Sequence, residues 1–168
     1  MLKISSVLGG IFLLALSTGC NVEPPKIGVV DVVKVTNESM AGKKANAELQ
    51  ALVTAKRTEA KNMADAIDNL KKNLDMGPEA TRKARAGELK KANADYKKFV
   101  AAADAEVQKK AAELKNKVLG QIKKVLETIG QEEKFLLIHT NENAPYFNKN
   151  IDISDKVINK YNELEGSK

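Results

Sequence analysis

The chain has 168 residues, a formal net charge of +6 and 43% hydrophobic residues, but only 4% aromatic residues and no tryptophan. This length fits one domain with an extension and excludes a large multidomain enzyme. One cysteine and one histidine exclude a disulfide framework and a metal site built from several such residues. Since the sequence also has no Gly-rich phosphate loop and no catalytic constellation of side chains, we expect neither an enzyme nor a cofactor or metal.

Residues 1–19 are typical of a bacterial export signal. A basic start is followed by an apolar run over residues 4–16, which is shorter than the about 20 residues that cross a bilayer. The run ends in LSTGC, which resembles a lipoprotein box, so we expect Cys20 to be lipidated after cleavage and residues 20–25 to form a tether. Cleavage without lipidation, which leaves a soluble protein, is the alternative.

Both forms of processing send the chain into the periplasm. Asn21 stands where an aspartate commonly retains lipoproteins at the inner membrane, so a lipidated form is expected at the outer membrane. Export separates the chain from the genome, and the basic charge therefore favours an acidic polypeptide or anionic lipid over nucleic acid.

Two short β-branched or apolar segments lie about a hundred residues apart. We expect a strand over residues 27–32, and a hairpin over residues 135–147 that joins it in a small sheet. One short helix would not cover such a sheet, so we expect the body to self-associate through it. The residues assigned to this oligomerisation surface are Ile27, Val29, Val30, Val32, Leu136 and Ile138.

The middle of the chain carries the pattern of two long helices. Nineteen alanines lie between Ala41 and Ala112, and alanine is the best helix former. Apolar residues recur at spacings of 3 and 4 up to Leu74, and again from Val100 to Ile129 with an 11-residue period. We expect helices over about 41–75 and 79–129, doubling back near residues 76–79, with Gly87 and Gly120 either as bends or as tolerated weak positions.

The last segment predicts a helix that covers the sheet. Asp152 or Ser154 can cap it, and Val157, Ile158, Tyr161 and Leu164 form one apolar face. The expected organisation is an α+β, mostly α protein. Its body comprises residues 26–40 and 130–168 and is rich in β-structure, and residues 41–129 form an antiparallel, coiled-coil-like helical arm. His139 is expected to have a structural role.

The outer half of this arm is basic and carries apolar residues that a slender hairpin cannot fully bury. Residues 71–98 have a net charge of +5, which indicates either a solvated face or a surface for an acidic client or lipid. The basic residues are Lys71, Lys72, Arg82, Lys83, Arg85, Lys90, Lys91, Lys97 and Lys98. The candidate client contacts are Met63, Ile67, Leu70, Leu74, Met76, Tyr96 and Phe99. The alternative is that these residues lie in the seam between the two helices.

Four segments together resemble the Skp/OmpH-like periplasmic chaperones. They are KIGVVDV at residues 26–32, NESMAGKKA at 37–45, FLLIH at 135–139 and IDISDKVINKYN at 151–162. The resemblance implies a jellyfish-shaped homotrimer with a shared β-barrel, whose three arms hold unfolded outer-membrane proteins without ATP and support their assembly. Members are commonly soluble after signal removal, whereas a lipidated Cys20 would hold this chain at a membrane.

Two other functions remain as alternatives. A coiled-coil envelope lipoprotein could act as a spacer or scaffold without capturing clients, and it would tolerate loss of the apolar residues near the tip. A nucleic-acid binder is suggested by the basic charge alone, and the sequence lacks the aromatic stacking platforms of such proteins.

Overall fold

The computed structural model describes residues 24–167, and the expected export signal and Cys20 lie outside these residues. The elements in chain order are strand β1 (Ile27–Val30), helices α1 (Val32–Glu38), α2 (Met40–Lys72) and α3 (Glu79–Glu132), strand β2 (Leu137–Thr140) and helix α4 (Ser154–Gly166). The expected fold class, a long helical hairpin on a small sheet, is confirmed. No helix within the described residues is long and apolar enough to span a bilayer.

The sheet is a parallel pair, and the hairpin expected over residues 135–147 is wrong. Strand β1 pairs with β2 in the register Ile27 to Leu137 through Val30 to Thr140. Short 3₁₀ turns at Asn141–Asn143 and Lys149–Ile151 follow β2, so the chain does not fold back as a second strand. Instead it returns to β1, where Val29 forms an isolated parallel bridge with Asp152.

The first strand is shorter than expected because a helix begins immediately after it. The Asp31 side chain accepts a hydrogen bond from the Lys34 N–H at 2.8 Å, which caps α1 at its N-terminus. Val32, the last residue of the expected strand, thus lies in a helix of seven residues. This cap outweighs the intrinsic strand preference of the valines in α1.

A tight elbow joins α1 to α2. Ser39 is fully buried, and its Oγ accepts a hydrogen bond from the Gly42 N–H at 3.1 Å. A Cβ atom on Gly42 would lie 1.6 Å from the Thr36 carbonyl oxygen. The two helices therefore approach each other so closely that only glycine fits at this position.

Helices α2 and α3 form the expected antiparallel arm, with bounds within three residues of the sequence prediction. The turn between them uses Gly77 at φ +94°, a backbone conformation that glycine adopts without strain. Two ion pairs cross from helix to helix, Glu48 with Lys110 at 2.5 Å and Lys56 with Glu106 at 2.7 Å. A Cβ atom at Gly87 or Gly120 would meet nothing within 4 Å, so no close packing requires glycine at either position.

The core lies in the body, at the base of the arm. It joins the last turns of α3 to β1, α1 and α4, and its buried members are Val30, Val35, Val118, Ile122, Val125, Ile129, Ile153, Val157, Ile158 and Tyr161. The Tyr161 hydroxyl donates to Gln121 Oε1 at 2.7 Å, and burial raises the pKa of Tyr161 to about 12. The predicted apolar face of α4 is confirmed in this core, except that Leu164 is 38% exposed at its edge.

Candidate functional site

We call residues 43–113 of the helical hairpin the outer arm. It leaves most of its apolar side chains incompletely buried. Between residues 43 and 113, Ile67 is the only buried residue, with 4% exposure. Buried residues of α3 begin at Leu114 and continue towards the base. Two helices alone cover only one side of each other, so the apolar pattern of the outer arm keeps partial contact with water.

The candidate client contacts divide into three groups. Met76, in the turn at the tip, is 59% exposed. The half-buried residues at the margins of the seam are Met63, Leu70, Leu74, Tyr96 and Phe99. Ile67 is enclosed in the seam, so its side chain is not accessible while the two helices are paired.

A shallow groove on the tip side of the arm combines apolar and cationic side chains. Its volume is about 480 Å³, and it is lined by Leu74, Ala86, Leu89, Lys90, Asn93, Ala94 and Lys97. The Asn93 side chain donates a hydrogen bond to the Leu89 carbonyl oxygen at 2.8 Å. Lys90 and Lys97 are the charged residues that line the groove. The groove therefore combines apolar contact area with charged hydrogen-bond donors.

The nine basic residues of the tip do not act alike. Arg85 Nη1 donates to the carbonyl oxygens of Asn73, at 2.8 Å, and Met76, and so fastens the turn to α3. Lys71 pairs with Asp68 at 3.1 Å. The side chains of the other seven are exposed and make no hydrogen bond or ion pair within residues 24–167, and these residues are Lys72, Arg82, Lys83, Lys90, Lys91, Lys97 and Lys98.

The body exposes a second apolar surface, along the sheet. Leu136 is 72% exposed, Leu137 50% and Ile27 41%, and Ile27 lies beside Leu137 because the two residues are paired in the sheet. Of the residues assigned to oligomerisation, Val29 and Val30 are instead buried in the core of the single chain, and Val32 and Ile138 pack against that core. Leu137 was not among the residues expected at this surface.

A groove at the junction of body and arm was also missed. It has a volume of about 550 Å³ and is lined mainly by apolar residues of α1, α2 and α3, among them Val33, Leu49 and Leu114. Val33 is 56% exposed there. This groove was not predicted because no helix was expected at residues 32–38, which form one of its walls.

An ionic cluster closes the end of the body farthest from the tip. Glu133 accepts from Lys26 at 2.5 Å and from Lys156 at 2.6 Å, and both ammonium groups also lie over the Phe135 ring, at 4.3 and 6.0 Å from its centroid. The hydrogen bonds from Lys156 and Lys26 lower the pKa of the Glu133 carboxyl. This cluster connects the start of the described chain, the end of α3 and α4.

The described residues contain no group of three or more potential metal ligands. His139 is exposed on β2, and its Nδ1 lies 2.9 Å from the Thr140 carbonyl oxygen.

The comparisons with protein-family models and with solved structures both find matches. The family model described as outer membrane protein (OmpH-like) matches residues 26–161. The crystal structure of a proposed OmpH-like outer membrane chaperone from Caulobacter crescentus CB15 is similar, with a TM-score of 0.77 and 17% identity, over 97% of this chain and 92% of that chain. No curated protein matches the sequence.

Proposed function

The chain belongs to the OmpH-like family, as the motifs at its two ends predict, and on that premise we propose that it is an ATP-independent periplasmic holdase. It binds unfolded outer-membrane proteins between helical arms, prevents their aggregation and supports their assembly. The observation that carries this proposal is the outer arm, where half-exposed apolar side chains lie beside seven exposed cations without a protein partner.

The physical basis is avidity from many weak contacts. An unfolded chain presents short apolar segments and scattered carboxylates, and each can meet an apolar margin or a lysine of the arm. Several arms acting on one chain raise the effective concentration of every further contact. A surface of this kind accepts different clients because it does not depend on one shaped pocket.

Self-association as a trimer is part of this proposal. A sheet of two strands is marginally stable in water, and an exposed strand edge beside Leu136 and Leu137 favours pairing with another chain. Three copies joined through this surface would bring three arms around one cavity. The family resemblance supports the trimeric state and a shared barrel.

We further propose that Cys20 is lipidated and holds the protein at a membrane facing the periplasm. The lipoprotein-like LSTGC segment supports the anchor, and Asn21 supports the outer membrane. We then expect anionic lipid as a contact of the chain in addition to clients, and we expect no nucleic-acid partner.

The client-binding role of the arm is tested with a variant that carries Met76→Ser, Tyr96→Ser and Phe99→Ser. We expect it to bind an unfolded outer-membrane β-barrel protein at least about tenfold more weakly, because each lost apolar contact weakens binding and about 1.4 kcal/mol corresponds to a factor of ten. Fluorescence anisotropy of a labelled client in dilute urea measures the affinity.

The matched control carries Tyr146→Ser and Leu164→Ser, which remove exposed apolar side chains from the body, where Tyr146 is 87% exposed. This control should bind clients as the parent does, and far-ultraviolet circular dichroism should show the same helix content in all three proteins. Equal client affinity of the arm variant and the parent would instead favour a spacer or scaffold lipoprotein.

A further inference from the structure

The described chain begins at the end of the body opposite the tip. The Lys26 side chain contacts Glu133, which directly follows the last residue of α3. The Lys26 carbonyl oxygen accepts a hydrogen bond from the Leu136 N–H at 2.8 Å. Helix α3 runs from the tip to this point over 54 residues, and a rise of about 1.5 Å per residue makes it about 80 Å long. The N-terminal tether therefore leaves the molecule about 80 Å from the tip.

The tether is short compared with this distance. Five residues separate Cys20 from Lys26, and an extended chain covers at most about 3.3–3.6 Å per residue, or about 20 Å in all. Pro24 and Pro25 are both exposed and restrict the backbone of this segment. A lipid on Cys20 would thus hold the body end, and not the tip, at the bilayer.

We propose that the lipidated trimer stands upright on its membrane, with the body against the bilayer and the arms opening away from it. This inference rests on the proposed lipid anchor and trimer. Three-fold symmetry places three tethers on the same end of the assembly, so the axis that relates the chains is perpendicular to the membrane. Several acyl chains on one assembly also make its attachment to the bilayer stable, whereas attachment by a single acyl chain is reversible.

The upright arrangement assigns a partner to the basic tip. Charges in physiological salt are screened beyond about 8 Å. The seven unpaired cations lie between about 50 and 80 Å from the body end of α3, which is roughly six to ten times that distance. They act on acidic segments of incoming unfolded chains rather than on the phosphates of their own membrane. The protein is then a stationary receptor for unfolded chains and not a carrier that diffuses between membranes.

The competing arrangement is an arm that lies flat on anionic lipid. Lys83, Lys90 and Lys97 recur every seven residues and share one face of α3, so they could all contact headgroups at once. This arrangement would bring the tip as close to the bilayer as the body.

The two arrangements are separated by energy transfer from one labelled position to acceptor lipids. Full-length lipidated protein is purified from bacterial membranes and placed in vesicles of phosphatidylcholine, with or without phosphatidylglycerol. Cys20 is the only native cysteine, and its thiol is blocked by the lipid, so Met76→Cys and Asn150→Cys each provide one labelling position. Met76 lies in the turn at the tip, and Asn150 is exposed beside Pro24 and Pro25.

We expect strong quenching of the donor at position 150 and little quenching at position 76, in both kinds of vesicle. Equal quenching at the two positions would overturn the upright arrangement. Tip quenching that appears only with phosphatidylglycerol and disappears in a Lys83→Gln, Lys90→Gln, Lys97→Gln variant would also overturn it, in favour of the flat arm.

Failure of the anchor and failure of the holdase activity are distinguished by the Cys20→Ser variant. It should remain in solution without sedimenting with vesicles, while it still prevents client aggregation. Sedimentation of Cys20→Ser like the parent, or a parent without lipid mass on Cys20, would overturn the upright anchor and leave the holdase intact. Loss of aggregation prevention by both proteins would instead overturn the holdase and leave the orientation measurement valid.

Discussion

At the scale of single residues, the elbow between α1 and α2 is the most constrained point of the described chain. Buried Ser39 caps α2, and the position of Gly42 has no room for a side chain. Both the direction of the arm and the covering of the core by α1 depend on this close approach. The motif NESMAGKKA therefore has a steric explanation, which the residues alone did not reveal.

Gly42→Ala is expected to destabilise the protein by at least about 2 kcal/mol, because the Cβ atom forces Thr36 and the elbow apart. Gly87→Ala is the matched control, since its Cβ atom enters open space on the same arm. The control should raise the free energy of unfolding by about 0.5–1 kcal/mol, because alanine favours the helix. Urea unfolding followed by circular dichroism measures both, and equal effects of the two substitutions would refute the steric account.

At the scale of elements, the helices were predictable and the sheet was only partly so. The 3 and 4 spacings from Leu114 to Ile129 identified the buried face of α3, because this periodicity is a property of the helix itself. The partner of β1 was also identified, but the second strand of the expected hairpin is absent from the sheet, since turn-forming residues alone do not fix where the chain goes next. The helix at Val32–Glu38 was missed because one cap residue outweighed the β-branched pattern.

The ionic cluster around Glu133 joins three elements and predicts a pH dependence. Its carboxyl has an ordinary pKa of 4.5, which Lys156 and Lys26 lower in the folded chain. The stabilisation is therefore present above about pH 4.5 and is lost as the pH falls through the lower folded-state value. Between about pH 6 and pH 3, the parent should lose more unfolding free energy than Glu133→Gln does.

Thermal or urea unfolding at a series of pH values measures this difference. The comparison with Glu133→Gln is necessary because Glu48 and Asp152 also have lowered pKa values and contribute to acid lability in both proteins. Parallel stability profiles for the parent and the variant would show that the cluster does not stabilise the fold.

At the scale of the whole molecule, the candidate surfaces differ in how far the sequence predicted them. The sequence alone identified the basic tip, because the net charge of residues 71–98 can be counted without knowing the fold. The sequence predicted the buried residues of the seam and the body less well, because Ile67, Val29 and Val30 are buried by contacts that exist only in the folded chain. The role of Arg85 also depends on the folded chain, because its side chain donates a hydrogen bond to the Asn73 carbonyl oxygen and so holds the turn at the tip.

Self-association through the body is tested by Leu136→Ser combined with Leu137→Ser. These side chains are exposed in the single chain, so their loss should leave monomer folding unchanged and shift the mass from trimer towards monomer. Sedimentation equilibrium measures the mass, and Leu164→Ser is the control. A variant that remains as associated as the parent would place the interface elsewhere.

The measurement that tests the holdase most directly follows the aggregation of a client. A urea-unfolded outer-membrane β-barrel protein is diluted into buffer that contains the chain from residue 20 with Cys20→Ser. Light scattering records aggregation, and analytical ultracentrifugation records the mass of the complex. Suppressed scattering and a complex of three chains with one client are the predicted result. Unchanged aggregation in the presence of a well-folded trimer would contradict the proposed function.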